Sequence, residues 1–302
     1  MHSHIQSMVR SLLILSVVSS TLWAKPGRHF QTNSFADVAR VVEEKIQTFG
    51  AERVLLALDI DNTTLATDSH LGSEHWFLWQ AKLLEEQNKS EAVGKSISEL
   101  LKLQAGIIAL SSMHPVESRI PVDLTGWGRQ GVKMMALTSR GVNQHDATVR
   151  ELARNRFPYA RFAPGPVSRH LELFIPYDLT AIEQSGLTQK EAEQFKLGPA
   201  SEVMWGQGVF LTEGQDKGVM LRTLLHRLNQ QFNAIVFIDD RLKHSERIQA
   251  AFSELQPEVT TIQYTHESER IKSFYESDKS EAKLAWLKFR KLLEQVNKGF
   301  TL

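Results

Sequence analysis

Several acidic residues in this chain sit where the flanking sequence is most apolar. The stretch "VLLALDIDNTTLA" begins as the apolar run Val54 to Leu58, places Asp59 and Asp61 two residues apart, and continues with hydroxyls at Thr63 and Thr64. "AIVFIDD" likewise closes on Asp239 and Asp240. Between them, "VKMMALTSR" ends in Thr138, Ser139 and Arg140, and "GQDKGVMLRTLL" puts Lys217 at the start of a helical pattern. Carboxylates gathered in one place repel one another, and a divalent cation removes that cost. Oxygen donors without thiolates favour a hard ion, Mg²⁺ first. Such an ion beside carboxylates suggests phosphate as its other ligand. Each residue alone has a plainer reading. Asp59 and Asp61 could cap a turn, Asp239 and Asp240 could cap the following helix, Thr138 could be structural, and Lys217 could be a solvated helix lysine. It is the ordered set that points to chemistry.

These residues need a scaffold that brings distant segments together. Apolar, β-branched runs at 54–58, 132–140, 208–212, 234–240 and 259–265 read as strands. Helical spacing marks 34–50, with Ser34 as N-cap and Gly50 as stop, and also 74–87, 95–104, 145–155, 217–228, 245–255 and 282–297. Strands alternating with helices predict an α/β fold, a Rossmann-like parallel sheet flanked by helices. In such sheets ligands bind beyond the carboxyl ends of the strands. Parallel strands would therefore bring Asp59 to Thr63, Thr138 to Arg140, and Asp239 to Asp240 to one mouth.

In this order the motifs resemble the haloacid dehalogenase (HAD) superfamily of phosphohydrolases. Asp59-Ile-Asp61-Asn-Thr63 matches its Asp-x-Asp-x-Thr after an apolar strand, Thr138 its strand-end hydroxyl, Lys217 its helix-start lysine, and Asp239-Asp240 its final acids. The segment from Asp59 to Gln80 is also similar to the region after the nucleophile in secreted acid phosphatases of the superfamily. The resemblance covers about Val54 to Asp240. It implies a HAD core with a helical cap inserted at about 66–120, and a second insertion at about 157–206 that would complete the pocket. It implies that Asp59 attacks phosphorus and forms an aspartyl-phosphate. Asp61 would then protonate the leaving oxygen and later deprotonate water. Thr138 would bond a phosphate oxygen and Lys217 would neutralise charge. Asp59, the Asp61 backbone carbonyl, Asp239 and Asp240 would hold Mg²⁺, Asp240 directly or through water. Thr63, Ser139 and Arg140 are candidate substrate contacts, Arg140 equally a partner for a nearby acid.

Composition narrows the field. The 302 residues carry 35 basic and 35 acidic side chains, which argues against a general nucleic-acid or membrane-surface binder. With no cysteine, disulfides, thiolate metal sites and a cysteine nucleophile are excluded. "SLLILSVVSSTLWA", from Ser11 to Ala24, is uncharged, follows Arg10 and has the size of a signal-peptide core, so 1–24 is expected to direct export to the periplasm or beyond. An uncleaved anchor is the alternative. "GWGRQG" at 126–131 fits a dinucleotide fingerprint, but its strand follows instead of preceding it, so Gly131 reads as a helix stop. Trp76 and Trp79 share a helix face and read as core of the cap, and His244 reads as a helix-end histidine. The expectation is a Mg²⁺-dependent phosphatase for a small phosphomonoester. The rivals are a binding or effector protein on the same fold and a phosphotransferase.

Overall fold

The computed structural model describes residues 27–88, 90–165 and 171–300, the side chains of 296–300 excepted. The expected export segment, 1–24, lies outside the described residues. Among these residues no helix is long and apolar enough to cross a membrane.

The first strand β1 (Arg28–Thr32) leads into α1 (Phe35–Phe49). Ser34 caps this helix by accepting from the Ala36 N–H, and Gly50 stops it, as the sequence predicts. β2 (Val54–Leu58) follows, and then β3 (Leu65–Thr67), α2 (Glu74–Glu85), α3 (Ile97–Leu110) and β4 (Met113–Pro115). Next come α4 (Ile120–Gln130), β5 (Lys133–Thr138), α5 (His145–Arg154), α6 (Tyr159–Phe162), β6 (Glu172–Phe174), α7 (Gln189–Gln194), β7 (Val203–Gly206) and β8 (Val209–Leu211). The chain closes with α8 (Lys217–Arg227), β9 (Ala234–Asp239), α9 (Leu242–Phe252), β10 (Glu258–Tyr264), α10 (Ser268–Glu276) and α11 (Ser280–Phe300).

Among the described residues, one eight-stranded sheet runs β1-β10-β9-β2-β5-β8-β7-β6. Its pairs from β1 to β8 are parallel, and β7 is antiparallel to both β8 and β6. The fold is therefore α/β with a mostly parallel, Rossmann-like sheet between helices. Strand alternation feeds two cores. Val54, Leu56 and Leu58 pack under α1 and α4, whereas Leu55 and Ala57 pack under α8 and α9. A strand buried on both faces has no use for polar residues, which is why β2, β5 and β9 read as continuous apolar runs.

Register sets the carboxyl ends level. Leu58 pairs with Ala136 on one side and Ile238 on the other, and the Asp59 N–H donates to Ile238 O at 2.9 Å. From β2 the chain steps outward to β5 and β8, then crosses back to β9 on the opposite side of β2. The strand order thus reverses between β2 and β9, the place where α/β sheets open a crevice.

Just past Asp59 the chain curls. The N–H groups of Thr63, Thr64 and Leu65 all converge on Ile60 O, and Asn62 is left-handed at φ 59°. β3 then pairs antiparallel with β4, and these two short strands form the stem that carries α2 and α3 above the sheet edge. The segment 66–120, expected as a cap, folds largely as this stem with its helix pair. Its core combines Leu71, Trp76, Leu100 and Ile107 with Phe274 of α10 and Ala282 of α11. Trp76 is fully buried, as the core reading predicts. Gly131 ends α4 in the left-handed region at φ 113°, so the glycine-rich "GWGRQG" is a helix terminus.

The segment 157–206 corrects an expectation. It carries β6 and β7 onto the sheet edge beyond β8, and a two-residue turn with Gln207 and Gly208 both at positive φ joins β7 to β8. This edge lies away from the β2–β9 reversal, and no described residue of 157–206 lines the cleft over the strand ends. The insertion lines a separate groove that includes Tyr177, Asp178 and Arg227.

Candidate functional site

The carboxyl ends of β2 and β9 bring Asp59, Asp239 and Asp240 together, with oxygens of all three within 4.8 Å of one another. Lys217, the first residue of α8, reaches across beneath them. Its Nζ lies 2.7 Å from Asp59 Oδ1 and 2.7 Å from Asp239 Oδ2. Two features place that ammonium. Asp216 caps α8 by accepting from the N–H groups of Gly218 and Val219. Gly218 lets α8 lie against α9, where a Cβ would come within 2.2 Å of Arg247 O.

Electrostatics in the cluster follow from burial. Desolvation pushes the Asp59 carboxyl up to about 7; the Lys217 ammonium opposes the rise and the charges of Asp239 and Asp61 add to it. Burial likewise raises Asp239, against the Lys217 charge. Asp240 is raised well above the usual carboxylate range by burial and then by Glu74 and Asp239. For Lys217, burial pulls downward, but Asp239 and Asp59 outweigh it and hold the ammonium charged.

Three carboxyls gathered in this way could hold a hard cation. One further observation fits this. Asp240 Oδ1 is buried and accepts no hydrogen bond, although its Oδ2 takes one from Asn62 Nδ2 at 3.3 Å. A buried acceptor without a donor costs free energy, of order 1–3 kcal/mol and more when charged. A cation at this point would satisfy it.

Asp61 sits differently. Arg140 grips it with two hydrogen bonds, Nε to Oδ2 at 2.9 Å and Nη2 to Oδ1 at 2.8 Å, and Arg140 Nη1 donates to Thr148 Oγ1 at 2.8 Å. Of the two readings of Arg140, pairing with an acid is the one observed, although its side chain also lines the cleft. The Asp61 carboxylate stands outside the three-carboxylate cluster.

The cleft above these groups has a volume of about 460 Å³. Thr138, Ser139 and Arg140 line it with Asp59 and Asp61, as expected. Thr138 is almost fully buried, and its Oγ1 accepts from the Arg140 N–H at 3.2 Å. Thr63 is a correction. It is fully buried, lines no part of the cleft, and its hydroxyl has no partner, because the curl at Ile60 turns the side chain inward. His244 lines the cleft from the first turn of α9; burial, then the charges of Lys217 and Arg241, push it down to about 2, so it is neutral.

Sequence reasoning missed Glu74, Arg241 and Asn62. Arg241 Nη1 donates to Glu74 Oε1 at 2.6 Å, and Asn62 Nδ2 lies 3.4 Å from Glu74 Oε2. This bridge ties the first turn of α2 to the end of β9. Arg241 directly follows Asp240 and Asn62 lies inside the Asp-x-Asp-x-Thr run, so position alone could have flagged both.

Fold and site together define an α/β protein with a buried carboxylate cluster and an ammonium at its topological switch point. Residues 31–298 match the family described as "Protein of unknown function (DUF2608)", and the chain belongs to that family. The matched span takes in the cap, the site and the C-terminal helices. Comparison with curated proteins and with solved structures finds no match.

Proposed function

We propose that the protein is a Mg²⁺-dependent phosphohydrolase for small phosphomonoesters, as the HAD resemblance implies. The observation that carries this reading is the contact of Lys217 with both Asp59 and Asp239, beside the unpartnered Asp240 oxygen, directly behind the Asp59 carboxyl that lines an open cleft. A divalent ion held by Asp59, Asp239 and Asp240 would supply, when bound, charge neutralisation and Lewis acidity at the phosphoryl oxygens.

The residues divide the work. An Asp59 carboxylate oxygen bonds to phosphorus as the ester P–O bond breaks, and the departing oxygen takes the electron pair and a proton from Asp61. In the state described both Asp61 oxygens accept from Arg140, so proton donation requires Arg140 to release one of them. Water then gives its proton to Asp61 and attacks phosphorus. The bond to Asp59 breaks and inorganic phosphate leaves. Lys217 holds Asp59 in place and balances charge on the phosphoryl group, and Thr138 offers a hydroxyl to a phosphoryl oxygen. Catalysis of this kind rests on positioning and electrostatics.

The test is phosphate release by the purified protein from a panel of phosphomonoesters, with Mg²⁺ and with chelator, beside Asp59→Asn. The expected result is metal-dependent turnover that Asp59→Asn lowers by about 10³-fold or more. Folded protein that releases no phosphate from any ester and binds no Mg²⁺ would favour a binding role on the same fold.

A further inference from the structure

The wall of the cleft opposite the carboxylates belongs to the cap, and apolar side chains run along it between Ser98, Lys102 and Gln104. Phe77 and Leu78 of α2 face the same space as Leu101 and Ile108 of α3. Leu78 and Leu101 are 39% and 42% exposed, although both helices have already built the cap core with other residues, Trp76, Leu100 and Ile107. Exposed leucines scattered singly need no explanation, but these two converge on one concave site with a phenylalanine beside them.

Of the polar side chains in the cleft, two are engaged within the chain, while Ser98 and Lys102 lie at the edge of the apolar stretch. Gln104 Nε2 donates to Gly72 O at 3.1 Å, and Glu213 Oε2 accepts from the Val142 N–H at 3.0 Å. A polyol placed against Phe77, Leu78 and Leu101 would lose water from its hydroxyls and find no partner on these side chains, which costs affinity. A flat apolar group would bury surface on both sides.

We propose that the cleft selects phosphomonoesters whose alcohol portion is an aromatic or similarly broad apolar group, an aryl phosphate being the simplest case. This rests on the phosphohydrolase reading for turnover, but not for binding. The cap wall takes the ring while the phosphate meets the floor at Asp59 and Thr138, with Lys217 behind Asp59.

Two measurements on the full chain with Mg²⁺ separate the claims. Calorimetry compares phenylphosphonate with methylphosphonate, neither of which is hydrolysed. Phosphate release compares phenyl phosphate with glycerol 3-phosphate. The expected preference for the aromatic compound is about tenfold or more in both, since burying a few apolar carbons is worth that much. Leu101→Asp is expected to narrow both ratios. Equal affinity for the two phosphonates, or faster turnover of glycerol 3-phosphate, would overturn the inference. Tighter phenylphosphonate binding without turnover of any ester would leave the apolar selection standing and refute the phosphatase reading.

Discussion

Replacing Lys217 with methionine removes a buried ammonium and leaves its two carboxylate partners facing each other. Lys217 is 1% exposed, and its Nζ is 2.7 Å from an oxygen of each partner. At an effective dielectric near 20, each contact carries a gross attraction of about 6 kcal/mol. Desolvation of the ammonium cancels much of it, and measured losses on breaking buried pairs are about 3–5 kcal/mol. For a domain of this size about 2–4 °C accompanies each kcal/mol. Lys217→Met in chelator is therefore expected to melt about 10 °C below the wild type. Divalent cation gives the second half of the prediction. Without the ammonium the cluster is more negative, so Mg²⁺ should raise the melting temperature of the variant more than that of the wild type. Thermal unfolding of both proteins, in chelator and in Mg²⁺, makes the comparison. A variant that melts within about 2 °C of the wild type in chelator, with Mg²⁺ moving neither, would refute the electrostatic account of the cluster.

Two further predictions concern ionisable groups. A double-mutant cycle of Asp61→Asn and Arg140→Met, read by urea unfolding, is expected to give a coupling energy of about 2–3 kcal/mol; a value below about 0.5 kcal/mol would mean that the bidentate pair does not form in solution. His75 and His244 are pushed down by burial to about 3 and about 2, so the unfolded chain takes up protons below about pH 6.5 that the folded chain refuses. Their contribution to stability is full above that pH and falls as pH drops, by up to about 1.4 kcal/mol per pH unit for each histidine. His75→Gln should flatten the slope of the urea midpoint between pH 6.5 and 4.5, and an unchanged slope would show that His75 titrates normally in the folded state.

The central sheet was legible because β2, β5 and β9 are buried on both faces and so carry long apolar runs. Acids at the ends of such runs have no place in a core, which made Asp59, Asp239 and Asp240 readable as a group. Other parts left weaker traces. β6 and β7 have three and four residues, too few for alternation to register, whereas the apolar run at 208–212 did mark β8. β1 is a polar edge strand, RHFQT, whose place depends on its pairing with β10. The grip of Arg140 on Asp61 spans 79 residues of sequence, so only the folded sheet brings the two together. Thr63 looked like a substrate contact because it completes a motif, but the left-handed turn at Asn62 decides where its side chain points.

The cap owes its interior to residues made late. Trp79 packs edge-on against Phe274 with ring centroids 6.0 Å apart, and His75 lies 4.8 Å from the same ring. Arg270 also donates to Thr67 O at 2.5 Å, tying α10 to the cap stem. During synthesis, the helices over the cleft therefore emerge well before the surface they pack on. Until α10 and α11 arrive, Trp76 has only part of its burial, and the apolar wall lacks a fixed position above the carboxylates. The floor can assemble once β9 is made, whereas the wall waits for the closing helices. A nascent chain with Asp240 just clear of the ribosomal exit tunnel would display the acids with a loose roof, because α10 and α11 would not yet have emerged.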